Sequence, residues 1–270
     1  MKKLLKTIAG MAGFSVIRTG NGYAEDGLAT IHSDAFRHEP DFRAAYARGL
    51  KSLLAVTANP RNREIYEGWQ GEFVPNVFGQ WRTHIALWCA RNAARRQGDF
   101  VECGVFVGFQ SSAIMTALDW DSLGKQFYLI DTFTGPETAQ LNEEEIRSGR
   151  REEIERLRGM GGYRYDFKTV QGNFAEWKNV RLIQGTVPEI LSSCPAEKVS
   201  YLHIDMNCVY PEIEAFRFFW DKLVPGALVL LDDYTFKGLE PQHAAFDRLA
   251  QELDFHIASL PTGQGLILKS

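Results

Sequence analysis

The sequence predicts an α/β fold, in which a doubly wound and mostly parallel sheet of seven strands follows an N-terminal helical extension. From Phe100 onward, short apolar runs alternate with stretches of helical periodicity, which is the pattern of βαβ units. Hydrophobic residues make up 45% of the 270 residues and charged residues 24%, which leaves enough apolar side chains for a large core. We therefore expect the extension to span residues 1–79 and a single folded domain to span residues 80–270.

Two helices are predicted before the sheet. Apolar side chains recur at near-helical spacing from Asp41 to about Val56, until Pro60 interrupts them. A second run of this kind extends from about 80 to 95 and ends at Gln97-Gly98-Asp99. The strands are then predicted at 100–105, 126–131, 179–184, 198–205, 226–231, 254–258 and 264–268. Further helices are predicted near 109–119, 187–193, 209–222 and 241–253.

A long charged stretch separates Asp131 from Val180, and it includes NEEEIRSGRREEIERLRG followed by Gly161-Gly162. This composition predicts a solvated helix followed by a loop. Because the stretch comes directly after a strand end, it is also a candidate lid.

Composition limits the range of partners. The formal net charge of −4 gives no broad attraction to phosphate backbones, so we expect a small-molecule partner and no nucleic acid. The cysteines form no CxxC pair, which favours neither a zinc site nor a disulfide framework. They are Cys89, Cys103, Cys194 and Cys208. A reducing cytoplasm therefore fits best.

The first residues raise the question of a secretory signal. Lysines open the chain, and Gly10 and Gly13 interrupt the apolar stretch that follows. We expect a cytoplasmic N-terminal segment rather than a cleaved signal. No apolar run reaches the length of a membrane span.

The segment FVECGVFVGFQSS joins the first strand to a helix, at the turn where the ligand crevice of a doubly wound sheet opens. Gly104 and Gly108 would let a ligand approach the backbone, and Ser111 in the following helix is a further candidate contact. The spacing does not match GxGxxG, and Glu102 would repel a diphosphate. An acidic residue there suits a cationic ligand, such as the sulfonium and amino group of S-adenosylmethionine. Alternatively, the glycines only allow close packing of strand and helix.

The second strand ends at Asp131, 27 residues after Gly104. A carboxylate at this point can accept hydrogen bonds from both ribose hydroxyls of a nucleoside, and Thr132 and Phe133 would lie beside the same ligand. The alternative is that Asp131 caps the turn that follows it.

Three aspartates follow two later strands. Asp205 ends one strand, and Asp232 and Asp233 end another, so their carboxylates should meet at one sheet edge. They would repel each other unless a cation lies among them, and oxygen ligands favour magnesium. Such an ion can lower the pKa of a substrate hydroxyl, and Asp205 could accept the proton. A turn and helix-cap pair is the alternative for Asp232 and Asp233. His203 shares the face of Asp205, as a polar partner or as a packed core histidine.

Four segments, in this order and at these separations, resemble the macrocin O-methyltransferase family, whose members methylate sugar hydroxyls on macrolide antibiotics. They are FVECGVFVGFQSS, FYLIDTFTG, HIDMNCVYPE and LVPGALVLLDDY. The resemblance covers about residues 80–270, which would then form an S-adenosylmethionine-dependent methyltransferase domain. It implies a seven-stranded, Rossmann-like class I methyltransferase fold, magnesium dependence and homo-oligomers.

The resemblance also implies roles for individual residues. The metal would be held by Asp205, Asp232 and Asp233. The cofactor would be contacted by residues around Glu102, Gly104 and Asp131. Two positions depart from the family, which commonly has an acidic residue in place of Asn207 and a glycine in place of Ala227. Acceptor choice is expected to lie in the stretch between Asp131 and Val180.

The function predicted from these features is magnesium-assisted methyl transfer from S-adenosylmethionine to a hydroxyl of a small, sugar-containing acceptor. One alternative is a methyltransferase-like scaffold protein that has lost turnover, although such a protein has no evident reason to keep three mutually repelling carboxylates. Another is a nicotinamide-dependent oxidoreductase, which the missing GxGxxG and the lack of an obvious Tyr-xxx-Lys pair disfavour.

Overall fold

The computed structural model of the protein describes residues 35–54, 63, 77–163 and 165–270. The chain divides into two compact units, Met1–Glu39 and Pro40–Ser270. In the first unit, the described residues form a 3-10 helix, Ala35–His38. The predicted N-terminal segment with its interrupted apolar stretch lies outside the described residues, and the division at residue 79 stays a prediction.

The second unit contains the sheet and the helices around it. The strands are β1 (Asp99–Cys103), β2 (Phe127–Asp131), β3 (Val180–Gln184), β4 (Val199–Ile204), β5 (Leu223–Leu231), β6 (Ala258–Ser259) and β7 (Gly265–Leu268). The helices are α1 (Pro40–Leu53), α2 (Val77–Ala93), α3 (Phe109–Ala117), α4 (Glu143–Arg147), α5 (Arg150–Gly159), α6 (Phe167–Asn173), α7 (Val209–Trp220) and α8 (Glu240–Leu253). Among the described residues, no helix combines the length and apolar character needed to cross a membrane.

The strand order is β3-β2-β1-β4-β5-β7-β6. Neighbouring strands from β3 to β5 pair in parallel, whereas β7 pairs antiparallel with both β5 and β6. The predicted doubly wound, mostly parallel sheet of seven strands is therefore confirmed. The order reverses between β1 and β4, so their carboxyl ends, at Cys103 and Ile204, border the crevice in which such sheets bind ligands.

Alternation along the strands divides the core between the two faces of the sheet. Val101 and Cys103 of β1 belong to the cluster that α7 and α8 cover with Phe216 and Phe246. On the opposite face, the ring of Phe100 lies 5.0 Å from the ring of Tyr201. Glu102 of β1 and His203 of β4 follow these two residues by two positions, so both side chains are buried on this second face.

Helix α1 packs on α3 through small and aromatic side chains. The ring of Tyr46 meets the ring of Phe109 edge-on at 5.4 Å, and the hydroxyls of Ser52 and Ser112 lie 3.0 Å apart. A Cβ at Gly49 would lie only 2.8 Å from the main-chain oxygen of Phe109, so a larger residue there would separate the two helices.

Two predicted elements are wrong. Residues 187–193 form turns and a short 3-10 helix, Leu191–Ser193, instead of an α-helix. Cys194 is extended, with a ψ of 113°, because a residue before proline disfavours helical backbone, and this ends the stretch after one short 3-10 turn. The strand predicted at 254–258 is reduced to β6. Asp254 still caps α8 with a φ of 53°, and the apolar side chains after it pack on the core from an irregular connection.

The stretch between β2 and β3 is more structured than a helix with a loop. It forms α4, α5 and α6, and a capping box at Asn142 and Glu145 begins α4. Glu145, Arg150 and Ile154 are buried, so one side of this segment packs against the domain and is not solvated.

Candidate active site

A cavity of about 220 Å³ opens beyond the carboxyl ends of β1, β2 and β4. Four of the predicted site residues line it, namely Gly104, Asp131, Thr132 and Asp205. The rest of its wall includes residues that sequence reasoning did not assign to the site, among them Phe106, Gln140, Tyr163, Tyr165, Gly185 and Val187.

Gly104 brings two strand ends into direct contact. Its φ is +88°, and a Cβ on it would lie 1.8 Å from the main-chain oxygen of Asp205. Because that neighbour is backbone and cannot rotate away, only glycine fits this position. The close approach joins the turn after β1 to the residue that follows β4.

Asp131 is held by backbone N–H groups. Its Oδ2 accepts hydrogen bonds from the amides of Val105 (2.6 Å) and Phe106 (2.9 Å), and its Oδ1 accepts one from Phe133 (2.6 Å). Burial raises the pKa of Asp131, and these three amides oppose that shift. The Thr132 hydroxyl lies 3.3 Å from Oδ1 but only 2.9 Å from the carbonyl of Gly135, to which its single proton is better placed to donate. Asp131 thus fixes the turn after β1 and keeps one acceptor position on Oδ1.

Three other predicted contact residues, Gly108, Ser111 and Phe133, do not line the cavity. Gly108 begins α3 with a φ of +84°, where a Cβ would lie 2.2 Å from the ring of Phe174. Phe133 is fully buried against Phe167. Ser111 is also fully buried, and its hydroxyl has no hydrogen-bond partner among the described residues. In this structure, Gly108 and Phe133 serve the packing of the cavity walls.

Glu102 also lies away from the cavity, against His203. Glu102 Oε1 lies 2.8 Å from His203 Nδ1, and His203 Nε2 lies 3.5 Å from Oδ1 of Asp232. Burial alone would lower the pKa of His203, but these two carboxylates outweigh it and raise the pKa to about 10. His203 is therefore a polar partner of the acidic cluster and not merely a packed core residue.

The three predicted metal aspartates do come together. One carboxylate oxygen from each of Asp205, Asp232 and Asp233 lies within 4.8 Å of the others. Burial and the mutual repulsion of the three carboxylates raise the pKa of both Asp205 and Asp233. Burial would likewise raise the pKa of Asp232, but Arg82 and His203 outweigh it and hold that pKa below its ordinary value.

Arg82 of α2 is a cation that the sequence did not reveal. Its Nη2 donates to the Asp232 carboxylate and main-chain oxygen, and to Asp233 Oδ1 at 3.0 Å. Its guanidinium also lies 5.3 Å from the centre of the Phe236 ring. Gln264 donates to the other oxygen of Asp232 at 2.8 Å. Arg82 is 150 residues from Asp232 in the chain and belongs to no motif, so sequence reasoning had no signal for it.

Comparison with known families identifies the chain. The model of the macrocin O-methyltransferase (TylF) family matches residues 26–258. The chain belongs to this family. Membership in the macrocin O-methyltransferase family confirms both the predicted resemblance and the predicted enzyme class, that of the S-adenosylmethionine-dependent O-methyltransferases.

Solved structures confirm the class I methyltransferase fold. The O-methyltransferase NovP superposes with a TM-score of 0.59 at 19% identity, over 70% of this chain and 79% of NovP. The calicheamicin methyltransferase CalS11 superposes with a TM-score of 0.53 at 15% identity, over 93% of this chain and 99% of CalS11. A search of curated proteins found no match to this chain.

Two tyrosines of the stretch between β2 and β3, Tyr163 and Tyr165, line the cavity, and we call this part of the chain the cavity cover. Tyr165 meets the ring of Phe106 edge-on at 5.1 Å. The ring of Tyr163 lies over Gly135, where a Cβ would come within 2.6 Å of it. The candidate lid predicted from sequence position thus lies at the cavity. The only sequence signal that its two tyrosines belong to the site was their position in that stretch.

Proposed function

We propose that this protein transfers the methyl group of S-adenosylmethionine to a hydroxyl of a small, sugar-containing acceptor, with a magnesium ion held by Asp205, Asp232 and Asp233. The observation that supports it most is the position of Asp205, which lines the cavity at the switch point and also belongs to the acidic cluster. One residue therefore connects the cavity beyond the strand ends with a set of oxygen ligands.

The cofactor would lie along the carboxyl ends of β1 and β2. Asp131 keeps one acceptor position for a ribose hydroxyl, and Gly104 leaves room for the cofactor beside the backbone. Asp131 and Asp205 both line the cavity, so they would face the positive sulfonium and amino groups. The charge complementarity proposed for Glu102 thus belongs to these two aspartates, because Glu102 contacts His203 instead.

The acidic cluster fits a divalent cation by its chemistry. All three side chains offer oxygen, which magnesium prefers, and one carboxylate oxygen of each lies within 4.8 Å of the others. Arg82 and His203 bring two positive charges against the three aspartates and Glu102, which still leaves negative charge for a cation to offset. When bound, such an ion would supply the Lewis acidity that lowers the pKa of the acceptor hydroxyl.

Asp205 is the residue that would take the proton. As the hydroxyl oxygen forms its bond to the methyl carbon, the carbon–sulfur bond breaks and its electron pair stays on sulfur, which gives S-adenosylhomocysteine. The hydroxyl proton passes to the Asp205 carboxylate, which lines the cavity. Asn207, which stands where the family commonly has an acidic residue, has no group that can accept a proton at neutral pH.

A binding protein without turnover is the second candidate. It is favoured by Arg82, which already occupies one oxygen each of Asp232 and Asp233. In such a protein the aspartates would hold an arginine of the fold and never a metal.

We also propose a homo-oligomer and a cytoplasmic location, the first of which light scattering on the purified protein would test.

Calorimetric titration of S-adenosylmethionine, S-adenosylhomocysteine and NAD, first with magnesium and then with chelator, tests the cofactor. Binding of the two adenosyl ligands without binding of NAD is expected, and the absence of binding by both adenosyl ligands would reject the proposal.

Transfer of labelled methyl groups to a panel of free and nucleotide-linked sugars then tests the reaction. Asp205→Ala and Asp233→Ala should abolish transfer and retain cofactor binding. Wild-type transfer by either variant would reject the metal site, and cofactor binding without transfer by the wild type would favour the second candidate.

A further inference from the structure

Arg150 anchors the cavity cover to the turn that follows β4. It is the first residue of α5, and only 8% of its side chain is exposed. Its Nη2 donates to the side-chain oxygen of Asn207 at 2.7 Å, and its Nε donates to the Asn207 main-chain oxygen at 3.2 Å. The remaining nitrogen, Nη1, pairs with Glu153 at 2.6 Å. Two of the three hydrogen bonds that Arg150 donates therefore go to Asn207.

Asn207 also contacts Asp205, so it links Arg150 to that aspartate. Its Nδ2 donates to Asp205 Oδ1 at 2.9 Å, and its backbone N–H donates to Glu212 at 2.8 Å. Its φ of 60° lies in the left-handed region, which asparagine tolerates better than most residues. The residue is thus fixed at both its backbone and its side chain.

The guanidinium decides which way the Asn207 amide faces. A guanidinium only donates hydrogen bonds, so the amide atom that faces Arg150 must be the oxygen. The NH2 group then faces Asp205 and donates to Oδ1, which leaves Oδ2 without this constraint. Aspartate at position 207 could pair with Arg150 equally well, but it would offer no proton to Asp205 and would add a like charge beside it.

We propose that Arg150 is a positioning residue that acts through Asn207 on Asp205. This inference rests on the proposed function, in which Asp205 is a metal ligand and the proton acceptor. Tyr163, which lines the cavity, lies in the same stretch between β2 and β3 as Arg150. One segment of the chain therefore both lines the cavity through Tyr163 and orients the Asp205 carboxylate through Arg150 and Asn207. The departure from the family at Asn207 is part of this arrangement.

Manganese affinity, measured by electron paramagnetic resonance with S-adenosylhomocysteine present, tests the inference in a double-mutant cycle of Arg150→Lys and Asn207→Ala. Lysine keeps the charge but cannot reproduce the forked pair of hydrogen bonds. Partners that orient metal ligands are worth about tenfold or more in affinity, so each single variant should bind manganese about tenfold more weakly. The double variant should bind no more weakly than Asn207→Ala alone.

The control is Arg156→Met. Arg156 is an exposed arginine of the same helix, and its side chain contacts Met160, so its removal should leave manganese affinity unchanged. If Arg150→Lys weakens binding equally with and without the Asn207 amide, or does not weaken it at all, Arg150 does not act through Asn207 and the inference is wrong.

Side-chain amide NMR tests, in the absence of metal, whether Arg150 orients the Asn207 amide. The Asn207 NH2 signals, assigned by their loss in Asn207→Ala, should be protected from exchange in the wild type and should move to the position of exposed asparagines in Arg150→Lys. Unchanged signals would overturn the inference. A wild type that binds no manganese would instead reject the metal part of the proposed function, and the amide signals would still test the link from Arg150.

Discussion

Asp131 and Asp232 occupy comparable places, because each stands at the carboxyl end of a parallel strand beside the same crevice, yet they are stabilised in different ways. Asp131 accepts its hydrogen bonds from backbone amides that lie within 26 residues of it. Asp232 instead contacts the side chains of Arg82, His203 and Gln264. The half of the site around Asp131 is thus built from backbone, and the half around Asp232 is built from charged and polar side chains.

The difference has a consequence for what each half can bind. A carboxylate surrounded by backbone amides is fixed by the fold itself and forms a rigid edge for a ligand that always binds in one way. Carboxylates neutralised by side chains can exchange one cation for another, because a guanidinium can move aside without unfolding a strand. The first arrangement suits a cofactor, and the second suits a metal ion.

Gly104→Ala should have the largest effect, because Gly104 is where the two halves touch. The new Cβ would lie 1.8 Å from the Asp205 main-chain oxygen at a φ of +88°, so the strand ends must separate. We expect the free energy of unfolding in urea to fall by roughly 3–5 kcal/mol, and binding of both S-adenosylhomocysteine and manganese to be lost.

The matched control for Gly104→Ala is Gly238→Ala. Gly238 has a similar φ of +93°, but a Cβ there meets nothing within 4 Å. This variant should lose about 1 kcal/mol and keep both ligands. Equal losses in the two variants would mean that backbone strain, and not contact between the halves, explains the effect.

Asp131→Asn should affect the backbone-built half alone. The amide NH2 would face at least one backbone N–H that now donates to the carboxylate, and the negative charge would be lost. Hydrogen bonds to a charged group contribute about 1.5–3 kcal/mol, so calorimetry should show S-adenosylhomocysteine affinity falling by roughly tenfold to a hundredfold. Manganese affinity should stay unchanged. Asp121→Asn is the control, since Asp121 accepts from the amides of Lys178 and Asn179 outside the cavity.

The same division explains how far the sequence could predict the structure. Asp131 and Gly104 could be located at strand ends, because a buried parallel strand is a short apolar run and its end is visible in the sequence. Both line the cavity, and their contact with a cofactor stays a prediction. Arg82 could not be found, since its role depends on the packing of α2 across the sheet. The strand predicted at 254–258 was wrong for a related reason: Phe255 and Ile257 are apolar because they pack on the core, which they do without pairing in the sheet.

Arg82→Met should affect the side-chain-built half alone, and in the direction of tighter binding. Methionine keeps an apolar stem beside Phe236 but frees Oδ2 of Asp232 and Oδ1 of Asp233 and removes a like charge from the proposed metal site. We expect manganese affinity to rise by about tenfold, and S-adenosylhomocysteine affinity to stay the same. Arg48→Met is the control, because Arg48 likewise pairs with a carboxylate, Glu176, and lies over the ring of Trp177. Weaker manganese binding in Arg82→Met would show that the guanidinium holds the aspartates together and does not compete with the metal.

Tyr165→Leu should have the smallest effect and tests whether the cover belongs to one half or to both. The variant loses the edge-on contact with Phe106, whose amide is one of those that hold Asp131. Such an aromatic pair contributes about 0.5–1.5 kcal/mol, so S-adenosylhomocysteine should bind roughly threefold to tenfold more weakly and dissociate faster in stopped-flow measurements. Tyr165→Phe keeps the ring and should restore the affinity. If manganese affinity falls in Tyr165→Leu by as much as cofactor affinity, the cavity cover affects the side-chain-built half as well. The contact from Arg150 through Asn207 to Asp205 would then explain how the cover reaches that half.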